Sequence, residues 1–370
     1  MKDAGIKNIK NILIIKLSSI GDCLLATPAI ESIRKAYPES FITWLIEDKS
    51  KDIALLNPYV NEVVVIDKKN FKLSDYYDLI KYLRSKKYGM SIDLQGVDRT
   101  SVYSFLSGAK LRYVEEYANL GFLSNRKISR KGKPLEHAVK FYLFLAQACG
   151  GIIPQEIKLT FVTEKKDREF ALDFLSNNFN HAISGGLFVG MNPGGAWNTK
   201  KWPAEYFIVI SKMLISKLNT RIVLFGAGNE NYLAENIINA VKDNVKDKDR
   251  NSIISACGKT SLKEAKELIA AMDYFISGDS SLIHIASSIE NGPKVIAIFG
   301  STDPGLTGPI SKNSRVLRAD IDCSPCFKKD CPLIKIKGAL TRYAPCMKKI
   351  TPDDVFDIIN GNITDNDNYK

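Results

Sequence analysis

Two stretches near opposite ends of the chain constrain its fold most. The first reads Asn11-Ile12-Leu13-Ile14-Ile15-Lys16-Leu17-Ser18-Ser19-Ile20-Gly21-Asp22, the second Tyr274-Phe275-Ile276-Ser277-Gly278-Asp279-Ser280-Ser281-Leu282-Ile283-His284. Each is an apolar run that stops at small residues and an aspartate, then passes into a helical pattern. Open α/β sheets place ligands where strand C-terminal ends feed helices, and helix N-termini attract anions. Two such junctions, one in each half, imply two sheets facing one cleft, an arrangement that suits an enzyme joining two substrates.

Around these junctions strand and helix patterns alternate. In the first half, strand-like runs at 11–17, 41–46, 63–66 and 90–94 alternate with helix-like runs at 23–37, 76–85, 101–107 and 137–149. A break rich in Asn, Ser and Gly falls at 176–186. Strands at 187–191, 221–225, 274–276 and 294–299 then alternate with helices at 203–218, 232–241, 261–271 and 282–288. Such alternation implies parallel βαβ units in doubly wound sheets, and 370 residues exceed the usual single core. Thr351, Pro352, Asp353 and Asp354 mark the start of a capped helix over 351–359, with Gly361 as its stop. The expected division is therefore a first domain over 1–182, a second over 183–350, and a terminal helix and frayed tail over 351–370.

The formal net charge of +11 predicts attraction to something acidic: nucleic acid, an anionic membrane surface or a phosphorylated substrate. Nucleic acid is the weakest of these, because no reader motif or dense aromatic-basic repeat accompanies the charge. No apolar run approaches the length of a membrane span. Lys2, Lys7 and Lys10 before Ile12–Ile15 imitate a secretion signal, but the apolar part is short and broken by Lys16 and Asp22. The expectation is a cytoplasmic chain, with Cys23, Cys149 and Cys257 as reduced thiols. Two nucleotide motifs fail on spacing. Gly226-Ala227-Gly228 lacks the third glycine of a dinucleotide fingerprint, Asn231 standing there, and Gly258-Lys259-Thr260 lacks the earlier glycine of a P-loop, where Ile253 stands.

Three segments carry chemistry. Asn192-Pro193-Gly194-Gly195-Ala196-Trp197-Asn198-Thr199-Lys200-Lys201-Trp202-Pro203 lies between a strand and a helix, with glycines for close backbone approach, polar donors and two lysines, the makings of a phosphate cradle. The Asp279-Ser280-Ser281 turn adds hydroxyls and N–H groups at another helix start, with His284 one turn along. Cys323, Cys326, Cys331 and Cys346 cluster in a Lys-rich irregular segment and read as a candidate structural zinc site; reduced thiols or a disulfide are the alternatives.

Taken together, the segments Ile14–Pro28, Asp93–Gly96, Leu106–Lys110, Asn192–Pro203, Phe225–Glu230, Gly258–Leu262, Gly278–Ala286 and Phe299–Pro304 resemble glycosyltransferase family 9, the ADP-heptose:lipopolysaccharide heptosyltransferases, particularly the heptosyltransferase II type. They occur in family order across most of residues 11–350. The resemblance implies the GT-B architecture, two Rossmann-like domains facing a cleft, with the C-terminal helix returning to the N-terminal domain. It implies inverting sugar transfer that needs no metal or other cofactor. Asp22 matches the family's proposed general base. Thr199, Lys200, Glu230, Asp279, Ser280, Ser281 and His284 match donor-site positions, with Lys200 the candidate diphosphate contact and Glu230 directed to the ribose. Family members often carry Gly where this chain has Ser281. Ser19, Gly21, Arg99, Lys110 and Arg112 are the expected acceptor contacts, with Arg126, Lys127 and Arg130 as further readers of core carboxylates and phosphates. The implied partners are ADP-heptose, a lipopolysaccharide core acceptor and the inner-membrane surface, which the enzyme would touch peripherally from the cytoplasm. The competing readings are a transferase for another nucleotide sugar or acceptor, a GT-B nucleotide-sugar epimerase and, last, a nucleic-acid-binding protein.

Overall fold

In the computed structural model, the structure describes residues 9–70, 72–179, 186–334 and 343–361. Their contacts divide the chain into two units between Val162 and Thr163.

The first unit is built on a six-stranded sheet. Its strands are β1 (Asn11–Ile15), β2 (Phe41–Glu47), β3 (Glu62–Ile66), β4 (Met90–Asp93), β5 (Leu111–Glu115) and β6 (Arg126–Ile128), in the order β3-β2-β1-β4-β5-β6. Every pairing is parallel. The central β1 is apolar throughout because both its faces are covered: Ile12, Leu13, Ile14 and Ile15 are all buried. On one face Leu13, Ile15 and Leu17 pack with Leu45, Ile66 and Tyr103.

The second unit repeats the plan with β7 (Phe188–Asn192), β8 (Arg221–Leu224), β9 (Ile253–Ser255), β10 (Tyr274–Gly278), β11 (Lys294–Phe299) and β12 (Ser314–Arg318). Their order is β12-β11-β10-β7-β8-β9, all parallel. Read from the other edge, this is the same winding as the first sheet, the order of a Rossmann fold. Phe207, Ile210 and Leu214 of the helix Ala204–Leu218 cover one side of it, with Val189, Met191 and Ile276 beneath. The doubly wound α/β fold expected from the alternation is thus present in both units.

Two boundaries differ from the sequence reading. The helix Lys165–Asn178, which the sequence reading assigned to the first domain, belongs to the second unit. It packs on the helix Leu262–Ala270, and Lys263 Nζ holds Glu164 Oε2 at 2.7 Å. The helix Pro352–Ile359 was expected to return to the N-terminal domain. Its described residues instead bury Val355, Phe356 and Ile359 in the second unit's core, and just before it the Ile350 carbonyl accepts from Trp202 Nε1 at 2.8 Å. Its start is capped as the sequence predicts, Thr351 N–H donating to Asp354 Oδ2 at 2.7 Å. The tail over 362–370 lies outside the described residues. Among the described residues no helix is long and apolar enough to cross a membrane.

Candidate active site

In a sheet of this order the winding reverses between the first and fourth strands, and the loops after those strands form the ligand crevice. In the first unit these are the segment after β1, carrying Ser19, Gly21 and Asp22, and the Asp93-Leu94-Gln95-Gly96 turn after β4. Asp22 is the third residue of the helix Ile20–Leu25. Its Oδ2 accepts from the Ser19 N–H at 3.3 Å and from Ser19 Oγ at 2.8 Å. One carboxylate oxygen therefore caps the helix while Oδ1 has no hydrogen bond among the described residues. Gly21 is buried, so Ser19 and Asp22 offer the polar atoms here.

Two residues of the β4 turn that the sequence reading gave no role support this loop. Gln95 Oε1 accepts from the Leu17 N–H at 2.8 Å and the Ser18 N–H at 3.1 Å, so the β4 turn holds the chain just ahead of Asp22. Asp93 shapes that turn by accepting from the N–H groups of Gln95 and Gly96 at 3.0 and 2.9 Å. Burial pushes the Asp93 carboxyl above its ordinary value, against the pull of those donors. Gly96 has a φ of +67°, and an added Cβ would stand 3.1 Å from Ala118 Cβ, so glycine is required. Just ahead of the loop lies Lys16, a buried lysine whose ammonium is 5.0 Å from the Tyr142 ring centroid. Burial opposes its charge, yet Tyr142, Asp22 and Cys23 together carry it above the ordinary lysine value.

The expected acceptor-binding cations separate into two groups. Arg99 follows β4 and pairs with Glu47 at the end of β2, on the same rim of the sheet as Asp22. Burial works against the Glu47 charge, but Arg99 and Lys49 outweigh it and hold this carboxyl below its ordinary value. Lys110 and Arg112 stand at the beginning of β5, whose Leu111 is level with the first residue of β4. They therefore occupy the opposite rim and are not brought together with Asp22. The Arg112 guanidinium donates to the carbonyls of Leu123 at 3.0 Å and Ala109 at 2.8 Å, which ties down the loops around β5.

In the second unit the corresponding loops follow β7 and β10. Lys200 Nζ lies 2.6 Å from Asp279 Oδ2, joining the two loops. The side chains are 17% and 6% exposed, so this pair is more sheltered from solvent than an ordinary surface ion pair. Thr302 Oγ1 donates to the same Asp279 oxygen at 2.7 Å, and the ammonium sits 4.4 Å from the Trp197 ring centroid. Two glycines let the loop lie this close. A Cβ on Gly278 would fall 2.3 Å from the Lys200 carbonyl oxygen, and one on Gly300 would fall 2.7 Å from that of Thr199. Asn192 Nδ2 donates to Ser280 Oγ at 2.9 Å and its Oδ1 accepts from the Gly194 N–H at 3.1 Å, fixing both loops to the end of β7. Ser280 occupies the N-cap position of the helix Ser281–Ser287 with its hydroxyl turned to Asn192 and Ser277; Ser281 is the first helical residue and His284 is buried.

Two donor-site candidates have structural partners. Glu230 Oε1 accepts from the Gly195 N–H at 3.0 Å and Oε2 from the Ala227 N–H at 2.9 Å, so its carboxylate closes the glycine turn. Thr199 is buried. Its hydroxyl donates to the Lys328 carbonyl and accepts from Ser301 Oγ at 2.8 Å, facing the cysteine-rich loop. There Cys323 is exposed, Cys326 half-buried, and Cys331 and Cys346 buried.

Two doubly wound domains of Rossmann order, each gathering polar and charged groups at its switch point, define the GT-B class of glycosyltransferases. Residues 76–337 match the model of glycosyltransferase family 9 (heptosyltransferase), and the chain belongs to that family. It is similar to lipooligosaccharide heptosyltransferase 2 of Campylobacter jejuni, with 26% identity covering 92% of this chain and 95% of the relative. With lipopolysaccharide heptosyltransferase 2 of Escherichia coli K12 it shares 24% identity over 94% and 97% of the two chains. The solved structure of E. coli ADP-heptose lps heptosyltransferase II superposes with a TM-score of 0.75 at 21% identity, covering 95% of this chain and 98% of that one.

Proposed function

We propose that the chain transfers heptose from ADP-heptose to the inner core of lipopolysaccharide, with inversion and with no metal in the transfer step. The observations that carry this reading are the polar groups that each unit gathers at its own switch point. The first offers a carboxylate with one oxygen unengaged, and the second a sheltered lysine between two helix-starting loops. The names of the full-length relatives support the donor and acceptor.

Each unit supplies one half of the chemistry. Asp22 Oδ1 takes the proton of the acceptor hydroxyl as that oxygen attacks the anomeric carbon. The bond from this carbon to the diphosphate oxygen breaks in the same step, and attack opposite the leaving group inverts the configuration. Charge accumulates on the departing ADP. Lys200 meets it with the ammonium hydrogens not given to Asp279, together with the N–H groups of Ser280 and Ser281, all held in place before the reaction. Asp279 positions Lys200, His284 lies in the donor-side helix, and Glu230 receives the ribose while closing the Gly195 turn. Asp22 then returns its proton to water.

The acceptor is anchored at the inner-membrane surface in this reading, with the enzyme binding peripherally from the cytoplasm. Supporting this, Tyr117, Phe122 and Leu135 are exposed on segments flanking β6, where Arg126 and Lys127 are exposed as well.

The test measures ADP release from ADP-heptose with and without heptose-deficient lipopolysaccharide, for the wild type and Asp22→Ala. Acceptor-dependent release that falls by about 10²–10⁴ in the variant, with ADP binding intact, is the expected result. Acceptor-independent interconversion of the nucleotide sugar would replace this reading with an epimerase.

A further inference from the structure

Cys323, Cys326, Cys331 and Cys346 are separated in sequence by two, four and fourteen residues. All four line one pocket of about 110 Å³, shared with Thr199 and Ser301. No disulfide joins them. Among the described residues no carboxylate or imidazole lines this pocket; beside the four thiols its polar lining is Thr199, Ser301, Ser324 and Lys328, so its metal-ligating donors are sulfur. Such a set selects thiophilic ions such as zinc or ferrous iron, and disfavours magnesium and calcium. Binding a dication there would require the thiols to ionise, which couples metal affinity to pH.

Among the described residues no three such side chains already stand in coordinating positions. Cys331 and Cys346 form the buried wall, while Cys323 and Cys326 lie on the more exposed arm. Coordination would draw that arm onto the wall. The arm is already docked at its base. Ser324 Oγ donates to the Gly300 carbonyl at 2.6 Å, and the Phe327 N–H donates to the Ser301 carbonyl at 2.7 Å. Its Lys328 and Lys329 carbonyls accept from the Thr199 hydroxyl and N–H. Thr199 precedes Lys200.

We infer that Cys323, Cys326, Cys331 and Cys346 bind one thiophilic divalent ion, which staples the 323–331 loop beneath Thr199 and fixes the backbone that presents Lys200. The ion has a structural role, closed by four protein sulfurs, and takes no part in sugar transfer. The metal site does not depend on which donor or acceptor the enzyme uses.

The experiment uses the full-length protein purified without chelator. Elemental analysis should find about one equivalent of zinc or iron per chain, and distinguishes between the two. Cys326→Ser and Cys331→Ser should lose the ion, and Cys149→Ser, in the other unit, should keep it. Two readouts on the wild type guard against variants that fail to fold. Cobalt(II) added to chelator-stripped protein should produce thiolate-to-metal charge transfer and the intense bands of a tetrahedral site. Trypsin should cut at the exposed Lys328 and Lys329 much faster after chelation, and the protection should return with zinc. Protein with only trace metal and no cobalt–thiolate absorption would overturn the inference. So would a disulfide found among the four by non-reducing mass spectrometry.

Discussion

At the scale of single residues, the site is held by side chains whose partners come from elsewhere in the sequence. Gln95 is the clearest case, its carbonyl taking two N–H groups from the segment before Asp22. Gln95→Ala leaves both donors unsatisfied, at a cost of about 1–3 kcal/mol. It should also lower kcat by about 10–100-fold through misplacement of Asp22, while ADP affinity measured by calorimetry stays unchanged. Glu47 gives a pH prediction. Its folded carboxyl lies below its ordinary value, so the stability from its pairing with Arg99 is fully present above that ordinary value. This stability is lost as pH falls through the folded one. Glu47→Gln should therefore lower stability by about 1.5–3 kcal/mol at neutral pH. Denaturant melts repeated in increasingly acidic buffer should show the gap to wild type closing. Asp22, Lys200 and Asp279 were legible in the sequence as polar residues at strand ends. The inward turn of Thr199 and the engagement of Arg112 were not, because a sequence lists donors without saying which carbonyls they will meet. The DLQG stretch was visible as a motif, but its role as a clamp on the Asp22 loop required the tertiary structure.

Among elements, most strands were legible, the edge strand β3 included, and the ones missed lie at or next to a sheet edge. β1, β2, β7, β10 and β11 are mostly apolar and buried and stand out as runs, and β3, β4 and β8 were read beside them. β5 and β6, β9 and β12 escaped notice. Leu111-Arg112-Tyr113-Val114-Glu115 and Ser314-Arg315-Val316-Leu317-Arg318 carry charges that suit a place at or next to a sheet edge. Arg126-Lys127-Ile128 reads as a basic stretch and becomes a strand by pairing with β5. The helix Lys165–Asn178 was lost for a related reason: its sequence is mostly polar, and it is placed by contacts with the later helix Leu262–Ala270. Where the Lys200 loop meets β10, a close backbone crossing makes a prediction. Gly278→Ala puts a methyl 2.3 Å from the Lys200 carbonyl oxygen, so the loop must move. Stability should fall by about 1–3 kcal/mol, with a raised KM for the sugar nucleotide. Gly195→Ala, whose added methyl meets only the Lys201 side chain at 3.5 Å, should fold with near wild-type stability.

For the whole molecule, the net charge of +11 belongs to no single contact. If the enzyme works at an anionic surface, this charge should act at long range. Sedimentation with vesicles containing anionic phospholipid should capture the protein at low salt. Capture should weaken steeply once the Debye length drops below about 10 Å, near 0.1 M salt. Equal capture by neutral vesicles would assign the association to the exposed aromatic residues instead. The repeated strand order has a consequence for protein engineering. Because each half opens its crevice between its own first and fourth strands, the two sets of loops hang from equivalent seams in separate cores. Segments from other members of the family can be spliced in at either seam without disturbing the sheet of the other half. A panel of such chimeras would map sugar choice and acceptor choice onto separate stretches of chain.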